Sequence, residues 1–420
     1  MNGSSTSLSA VFGKEFSERL LNLFRFKSVE KTNSDSEGQK IVYGWPIFFI
    51  RKRLRLTIFR LAISKYKNPI MAIKVLQHFL KLRKSVKGNQ VIRKMVKANG
   101  KYYMGLYIPG WNGETFKSFV LSELNRFVLL DEEVNRFNNV FLAITKKCIL
   151  QCEHCFEWEA LNKKDVLTSD TVEKIISVLQ DKGVNQICFT GGEPMLKINM
   201  MINTMENAKN ETDFWMLTSG YHLNLENAQK LKRAGLSGVV ISLDHYLPQE
   251  HNKFRGNEKA FQWVTEAINS ALENNLIVAL SVCVTRSFAT EENLLKYMNL
   301  AKELKVSFVQ FLEPKAVGHY LGKDVILLPE HEAVLEKMYL KFNNHNDFQE
   351  YPLIVYHGFH QRKRGCFNAG LMGLYVDTDG QINACPFCHD KTGNVLDDNF
   401  EENLNKLKQK GCPSYHMADH

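Results

Sequence analysis

The sequence predicts an α/β protein whose central part is a parallel β-sheet, wound either toward a barrel or into an open doubly wound sheet. Six apolar or β-branched runs alternate with helical patterns in the middle of the chain, and buried parallel strands read as such continuous runs. The 420 residues are 44% hydrophobic and 24% charged, which is typical of a soluble globular protein with two or three structural units. Chemistry is therefore expected at the carboxyl ends of the strands, where the loops converge.

The individual elements follow from periodicity and turn residues. A short helix near residues 16–26 and a polar loop at 30–40 are predicted first; a strand at 102–108 and a turn at 109–113 then lead into a helix at 114–130. The six central strands are predicted at residues 140–145, 186–190, 214–218, 238–243, 277–285 and 306–312. The helices between them are predicted at residues 169–181, 225–233, 259–273 and 291–304.

Three regions are expected along the chain. Residues 1–135 form a basic, mostly helical region with a possible short hairpin, residues 136–330 the central sheet, and residues 331–420 a small cysteine-rich extension. No run of 18 apolar residues and no secretory signal is present, so we expect a cytoplasmic location, with peripheral contact at the membrane as an option. The odd, unevenly spaced set of nine cysteines indicates reduced thiols that bind metal rather than a disulfide framework.

The net charge of +9 conceals a local excess of positive charge. Residues 51–101 contain 16 Lys and Arg and no Asp or Glu, which leaves −7 for the rest of the chain. Apolar residues at helical intervals on either side of Pro69 predict two basic amphipathic helices. Such helices suit anionic lipid head groups, nucleic-acid phosphates or an acidic substrate segment, and a helical cap with solvated lysines fits the pattern equally well.

Three cysteines follow the first central strand at separations of four and three residues: Cys148, Cys152 and Cys155. Three thiolates on one short loop can bind three corners of a cubane iron-sulfur cluster and leave the fourth iron without a protein ligand. A zinc site that lacks its fourth ligand, or three incidental thiols, would also give this spacing.

The second central strand ends in Gly191-Gly192-Glu193-Pro194. Paired glycines let a ligand approach the backbone, and the carboxylate can accept hydrogen bonds from an ammonium group. Together with the cysteine loop one strand earlier, this motif resembles the radical S-adenosylmethionine (SAM) superfamily over residues 140–314. The resemblance implies a partial (β/α)6 TIM-like barrel.

The resemblance also implies how SAM is held. Its amino nitrogen and carboxylate would chelate the open iron of the 4Fe-4S cluster, while Glu193 and the backbone of Gly191 and Gly192 hold the methionine end. Ser219 occupies a Thr-Ser-Gly sequence where the family often has Thr-Asn-Gly, and a contact to the SAM carboxylate is implied there.

The nucleoside end of SAM is assigned by the same resemblance. Ser242 and Asp244, at the end of the fourth strand, resemble the family's ribose contacts, although both residue types also cap helices. His154, just before the third cysteine, stands at the family's usual aromatic position beside the adenine.

The reaction that the resemblance implies is reductive cleavage of SAM to methionine and a 5′-deoxyadenosyl radical, which then removes a hydrogen from the substrate. The electron would come from an external one-electron donor such as a flavodoxin or ferredoxin. Nothing in the sequence identifies a catalytic acid or base.

A second cysteine set near the carboxyl end comprises Cys366, Cys385, Cys388 and Cys412. Four soft ligands can saturate a metal centre, and such a closed site cannot chelate SAM. The spacing resembles the SPASM and twitch extensions of radical SAM enzymes, and it implies one auxiliary 4Fe-4S cluster. A zinc ribbon with four thiolates is the alternative.

The substrate is expected from family analogy to be a peptide or protein that is modified oxidatively. The alternative is a lipid, lipid-linked or small-molecule substrate at an anionic membrane surface, which residues 51–101 would contact. A nucleic-acid partner is not expected, because no aromatic-rich RNA-binding signature accompanies the charge. The alternative outside the enzymes is a non-enzymatic scaffold protein that holds an iron-sulfur cluster or zinc.

Overall fold

The computed structural model describes residues 38–87, 93–128 and 137–418. The helix predicted near residues 16–26 and most of the loop predicted at 30–40 lie outside these ranges. The described elements, in chain order, are β1 (Lys40–Tyr43), α1 (Trp45–Tyr66), α2 (Pro69–Lys87), β2 (Lys94–Ala98), β3 (Lys101–Tyr103), α3 (Glu114–Phe127), β4 (Asn139–Ala143), α4 (Ser169–Asp181), β5 (Gln186–Thr190), α5 (Ile198–Asn207), β6 (Asp213–Thr218), α6 (Leu225–Arg233), β7 (Leu236–Ser242), α7 (Pro248–Arg255), α8 (Ala260–Glu273), β8 (Ile277–Cys283), α9 (Glu291–Glu303), β9 (Phe308–Leu312), α10 (Pro329–Asn344), β10 (Leu353–Tyr356), α11 (His357–Arg364), β11 (Gly373–Val376), β12 (Ile382–Asn383) and α12 (Phe400–Lys410).

The central sheet has nine strands in the order β10-β9-β8-β7-β6-β5-β4-β11-β12. Strands β4 to β9 are the six predicted strands, and they pair in parallel and in chain order. The predicted partial barrel of six parallel β/α units is therefore confirmed. Two further parallel strands extend it, because β10 pairs with β9 and β11 pairs with β4. The predicted boundaries at residues 135 and 330 stay predictions.

Helices cover the outer face of the sheet, which explains why the strands are buried on both sides. Helix α4 illustrates the local cause: the side chain of Thr168 accepts a hydrogen bond from the Thr171 N–H and caps the first turn. The apolar residues of this helix then recur at helical spacing and are buried, as the sequence predicts: Val172, Ile175, Ile176 and Leu179.

The barrel interior is closed at the amino ends of its strands by the segment around β2 and β3. Tyr103 and Leu106 are buried in one cluster with Cys188, Trp215 and Phe308 of the barrel. The predicted strand at 102–108 is wrong in length, since β3 ends at residue 103. The chain turns there because its side chains enter the barrel instead of continuing a sheet edge.

The two predicted basic helices are present as α1 and α2, and both are longer than the patterns on which they were predicted. They share an apolar cluster with α3 and β2, which includes Leu54, Ala62, Val75 and Phe116. The helix predicted at 114–130 is described as far as residue 127, and residues 129–136 lie outside the described ranges. None of the described helices is both long enough and apolar enough to cross a membrane.

Candidate active site at the carboxyl edge of the sheet

The cysteine loop after β4 is docked against the end of β5. The Gly192 N–H donates to the Thr145 carbonyl at 2.7 Å, and the Glu193 N–H donates to the Lys147 carbonyl at 2.8 Å. A Cβ atom at Gly192 would lie 2.2 Å from the Lys147 carbonyl oxygen, and Gly191 adopts a φ of 131°. Only glycine fits both positions without displacing the loop. The two glycines therefore fix the cysteine loop, a role that their motif alone does not reveal.

The other side of the cysteine loop rests on the segment after β9. The His319 N–H donates to the Cys155 carbonyl at 2.9 Å, and the His319 Nδ1 lies 2.9 Å from the Cys152 carbonyl oxygen. The imidazole ring stacks on Trp158 with a centroid distance of 3.8 Å. Sequence reasoning missed His319, because its contact joins positions more than 160 residues apart and no spacing signals it.

The three thiols of this loop are free, with Cys152 buried and Cys148 and Cys155 partly buried. Burial raises the pKa of Cys148 and of Cys155 to about 12. Burial also raises the pKa of Cys152, although the Arg255 guanidinium opposes this shift. Buried thiols ionise when a positive charge compensates them, and a bound metal supplies that charge. Three soft ligands on one loop fit an iron-sulfur cluster with one open iron.

A buried cation links the cysteine loop to β7. Arg255, the last residue of α7, donates from Nη1 to Cys152 Sγ at 3.5 Å and from Nε to Asp244 Oδ2 at 2.6 Å. The other Asp244 oxygen accepts from the Cys283 N–H at 2.9 Å. Burial would raise the pKa of Asp244, but Arg255 holds it below its usual value. Sequence reasoning identified Asp244 but missed Arg255, since a helix-terminal arginine is common and carries no signal of such a contact.

Glu193 lies at the centre of a hydrogen-bond network at the ends of β5 and β6. Its Oε1 accepts from the Thr218 hydroxyl at 2.7 Å and from the Met195 N–H at 3.1 Å. Its Oε2 accepts from the Ser219 hydroxyl at 2.5 Å and from the Ser219 N–H at 2.9 Å. Burial raises the pKa of Glu193, and these hydrogen bonds oppose the shift. The structure thus brings Glu193 and Ser219 together, as their shared strand edge predicts.

His154 and Ser242 lie on neighbouring parts of the same edge. The His154 ring stacks on Phe254 at a centroid distance of 4.8 Å, and its buried Nδ1 has no hydrogen-bond partner among the described residues. Burial lowers the pKa of His154 to about 4, so the ring is neutral at physiological pH. Ser242 is the last residue of β7 and pairs with Ser281. A buried, unpaired ring nitrogen is a feature that a ligand hydrogen bond would satisfy.

A cavity of about 670 Å³ opens at the carboxyl ends of β7, β8 and β9, beside Asp244. This is the edge where a parallel sheet is expected to bind ligands. Its wall is divided about evenly between polar and apolar surface and carries both signs of charge. The lining residues with ionisable side chains are Glu153, Asp244, His245, Glu250, Lys253, Cys283, Arg286, Tyr320 and Asp324.

The end of β9 carries a buried ion-pair cluster next to this cavity. One oxygen of Glu313 accepts from the Tyr356 hydroxyl and from Arg362 Nη1, both at 2.7 Å, and the other lies 3.1 Å from Lys315 Nζ. Burial would raise the pKa of Glu313, but Lys315 and Arg362 hold it below its usual value. Glu313 is therefore ionised and already paired, which is the pattern of a positioning group.

The second cysteine set is assembled by a hairpin and the end of the chain. The Cys388 N–H donates to the Cys385 carbonyl at 3.0 Å, and the Cys366 N–H donates to the His416 carbonyl at 2.7 Å. The thiol of Cys412 interacts with Cys366 and with Cys388, and these hydrogen bonds lower its pKa. All four predicted ligands thus come together. Among the described residues, no three His, Cys, Asp or Glu side chains form a ready-made single-ion site.

An aromatic residue joins the two cysteine sets. Phe156, directly after Cys155, contacts Phe387 at a centroid distance of 5.9 Å, Tyr375 at 6.0 Å and His389 at 6.4 Å. The hairpin that carries the second cysteine set therefore packs directly on the loop that carries the first. No sequence signal predicts this contact, because the two segments are separated by the whole barrel.

One family model matches the central part of the chain. Residues 142–301 match the family model described as the Radical SAM superfamily. Together with the parallel sheet and the cysteine loop at its edge, this match makes the central part of the chain similar to the radical SAM superfamily of enzymes. The 4Fe-4S cluster and SAM of that superfamily fit the site described above.

Two curated relatives match about half of this chain at low sequence identity. The chain is 26% identical over 234 residues to the GTP 3′,8-cyclase of Nautilia profundicola, which covers 54% of this chain and 69% of that protein. It is 28% identical over 212 residues to the GTP 3′,8-cyclase of a Sulfurovum species, which covers 47% of this chain and 64% of that protein. In the second case the chain spans less than two thirds of the relative.

Among solved structures, the fold is similar to Streptococcus suis SuiB bound to the precursor peptide SuiA, with a TM-score of 0.55 and 14% identity over 86% of this chain and 84% of that chain. It is also similar to anSMEcpe with bound AdoMet, with a TM-score of 0.50 and 19% identity over 64% of this chain and 82% of that chain. Both similarities concern the fold alone.

Proposed function

We propose that this chain cleaves SAM reductively at an open-iron 4Fe-4S cluster and uses the resulting radical to modify a peptide or protein oxidatively. The observation that carries the proposal is the cysteine loop, which is clamped between the end of β5 and the segment after β9. We assign Cys148, Cys152 and Cys155 as the ligands of three irons. When bound, the cluster and SAM supply one-electron chemistry that yields a 5′-deoxyadenosyl radical.

The chain's own residues hold and neutralise these groups. Arg255 offsets negative charge on the Cys152 side of the site, since its guanidinium already donates to that sulfur. Glu193 would accept from the ammonium group of SAM if the Ser219 hydroxyl turned away, since four protein donors occupy its lone pairs in this structure. The Ser219 hydroxyl is then free to donate to the SAM carboxylate.

The nucleoside end lies toward the cavity. His154 offers its unpaired, buried Nδ1 to the adenine, and Ser242 offers its hydroxyl to the ribose. Asp244 already receives hydrogen bonds on both oxygens, so its contact to a ribose hydroxyl uses a remaining lone pair. The backbone of Gly191 and Gly192 borders the methionine end.

The second cysteine set supports one auxiliary 4Fe-4S cluster, with a zinc centre as the alternative. Its four thiols interact with one another, and no further protein ligand is needed to close a four-iron site. Phe156 brings this set against the first one. This contact favours a role of the auxiliary cluster near the substrate, or as the acceptor of the second electron in a two-electron oxidation.

A peptide substrate is supported by the likeness of fold to SuiB, which was solved with its precursor peptide. The cavity wall, with carboxylates and basic groups side by side, suits the amides and mixed charges of a peptide. An external one-electron donor such as a flavodoxin or ferredoxin would deliver the first electron. GTP, which the names of the curated sequence relatives mention, is the competing candidate.

The first test is anaerobic reconstitution with iron and sulfide, metal counting, and 5′-deoxyadenosine detection after reduction in the presence of SAM. Alanine at Cys148, Cys152 or Cys155 should abolish cleavage, because an incomplete set cannot hold the open-iron cluster. Cys188→Ala is the matched control, since Cys188 is fully buried within β5 away from the loop. Full cleavage in all three loop variants would refute the assignment.

The second test separates the two cysteine sets and the two substrates. Cys385→Ala and Cys388→Ala should retain some uncoupled SAM cleavage but lose substrate product and part of the iron; zinc in place of that iron would favour the zinc centre. Short peptides encoded beside the gene are then compared with GTP, with product mass as the measurement. A peptide that loses two hydrogens supports the proposal, and a GTP-derived product contradicts it.

A further inference from the structure

Helix α1 is apolar on two opposite sides, of which only one is buried. The buried side, formed by Ile47, Ile50 and Leu54, packs into the cluster shared with α3 and β2. The opposite side carries Trp45, Phe48, Phe49 and Leu56, which recur at helical spacing and are all exposed. Phe49, for example, is 58% exposed. A helix face of this kind needs a partner, because contiguous exposed apolar residues mark interaction surfaces.

Helix α2, which packs with α1 in the same cluster, also has exposed apolar residues. Ile70, Ile73 and Leu80 are exposed at helical spacing, while Ala72 and Val75 are buried against the α1 side of the cluster. The two helices together carry seven of the seventeen exposed large hydrophobic side chains of the described residues. All the exposed Trp and Phe side chains of the described residues lie within the first five residues of α1.

The charged residues of these two helices are all basic. Residues 45–87 contain twelve Lys and Arg, and no acidic residue occurs between Glu37 and Glu114. On α1 the basic residues flank the exposed apolar stripe: Lys52 Nζ lies 4.4 Å from the Phe48 ring centroid, and Arg55 and Arg60 are exposed. Long basic side chains in such positions reach past an inserted apolar face to anionic groups at its border.

We infer that the α1–α2 surface, defined by the seven exposed apolar residues and the exposed Lys and Arg of residues 45–84, docks on an anionic lipid bilayer. Trp, Phe and Leu on one face with Lys and Arg beside it is the composition of helices that lie in the plane of the membrane interface. The lipid phosphates match the unbroken positive charge, and the acyl boundary takes the aromatic and aliphatic side chains. Phosphates of RNA would match the charge but would leave Leu56, Ile70, Ile73 and Leu80 exposed. This inference is independent of the chemistry proposed for the barrel.

The test is sedimentation of the full chain with phosphatidylcholine vesicles that contain 0 or 30% phosphatidylglycerol, at low and high salt. We expect binding that needs the anionic lipid and weakens with salt. The Arg55→Gln/Arg60→Gln variant should bind about 30-fold more weakly, from roughly 1 kcal/mol for each cation near the surface. Trp45→Ser/Phe48→Ser/Phe49→Ser should bind at least about tenfold more weakly. All replaced side chains are exposed, so circular dichroism should be unchanged.

Matched controls come from the barrel surface. Leu225→Ser and Lys174→Gln change exposed residues of the same kinds and should leave vesicle binding unchanged. In a second readout, Trp45 emission should shift to the blue on anionic vesicles, and Trp45→Phe should bind but lose that shift. Equal binding to neutral and anionic vesicles, or binding that the aromatic triple variant retains, would overturn the inference. Tight binding to a single-stranded RNA without vesicle binding would assign the surface to nucleic acid instead.

Discussion

Replacing Arg255 with Met removes the cation that lies between Asp244 and Cys152. The side chains of Arg255 and Asp244 are only 9% and 2% exposed, so solvent cannot compensate the carboxylate that remains. Removing one partner of a buried ion pair typically costs about 3–5 kcal/mol of unfolding free energy. We therefore expect Arg255→Met to lose stability in that range, and to hold less iron after reconstitution because Cys152 also loses its donor.

A double-mutant cycle measures the pair itself. Asp244→Asn keeps an acceptor for the Cys283 N–H but removes the negative charge, so it should cost a similar amount alone. Arg255→Met/Asp244→Asn removes both charges and should be more stable than the sum of the single changes predicts, by about 3 kcal/mol. Unfolding in urea, followed by tryptophan fluorescence on metal-free protein, gives the free energies.

The iron measurement distinguishes a role at the cluster from a purely structural one. The double variant should regain stability without regaining iron, since Cys152 still lacks the guanidinium. A cost below about 1 kcal/mol for Arg255→Met, or strictly additive changes in the cycle, would refute the reasoning that this is a coupled buried pair. Iron content that recovers together with stability would show that Arg255 acts only through folding.

Three further outcomes are expected. Gly192→Ala should displace the cysteine loop and abolish SAM cleavage, because its Cβ would lie 2.2 Å from a backbone oxygen. The control Gly105→Ala meets nothing closer than 3.5 Å and should be active. Equal activity of the two variants would contradict the inference that Gly192 fixes the loop. Ser219→Ala removes the hydroxyl that we propose donates to the SAM carboxylate, so it should weaken SAM binding about tenfold by calorimetry with iron content unchanged. An unchanged affinity would argue against that contact. Burial lowers the pKa of His251 to about 4, so the unfolded chain takes up its proton first and stability falls as the pH drops from 6.5 toward 4, by up to roughly 3 kcal/mol. His251→Gln should flatten this loss in unfolding experiments, and an unaltered pH profile would count against it.

The barrel and the cysteine loop could be predicted because their signals are local. Strands such as β5 and helices such as α4 begin and end at the predicted residues, since apolar runs and helix caps act within a few positions. Strands β10 and β11 were not predicted, because four apolar residues in a row do not distinguish a strand from a helix turn. Their position is decided by pairing with β9 and β4, which is a property of the assembled sheet.

The candidate site divides in the same way. Cysteines at short separations predict a metal-binding loop. All seven predicted ligands lie in the two cysteine sets that the structure brings together. Arg255, His319 and Phe156 act on the same loop from distant parts of the chain, and each is an ordinary residue in its local sequence. Their roles arise from packing, so a single sequence could not reveal them.

The contact of Phe156 with the C-terminal hairpin ties the carboxyl-terminal segment to the cysteine loop. Because that hairpin packs on the residue directly after Cys155, a truncation after the barrel would uncover one side of the cysteine loop. Water and dioxygen would then reach the sulfur ligands directly. The carboxyl-terminal segment is thus part of the cover of the cysteine loop.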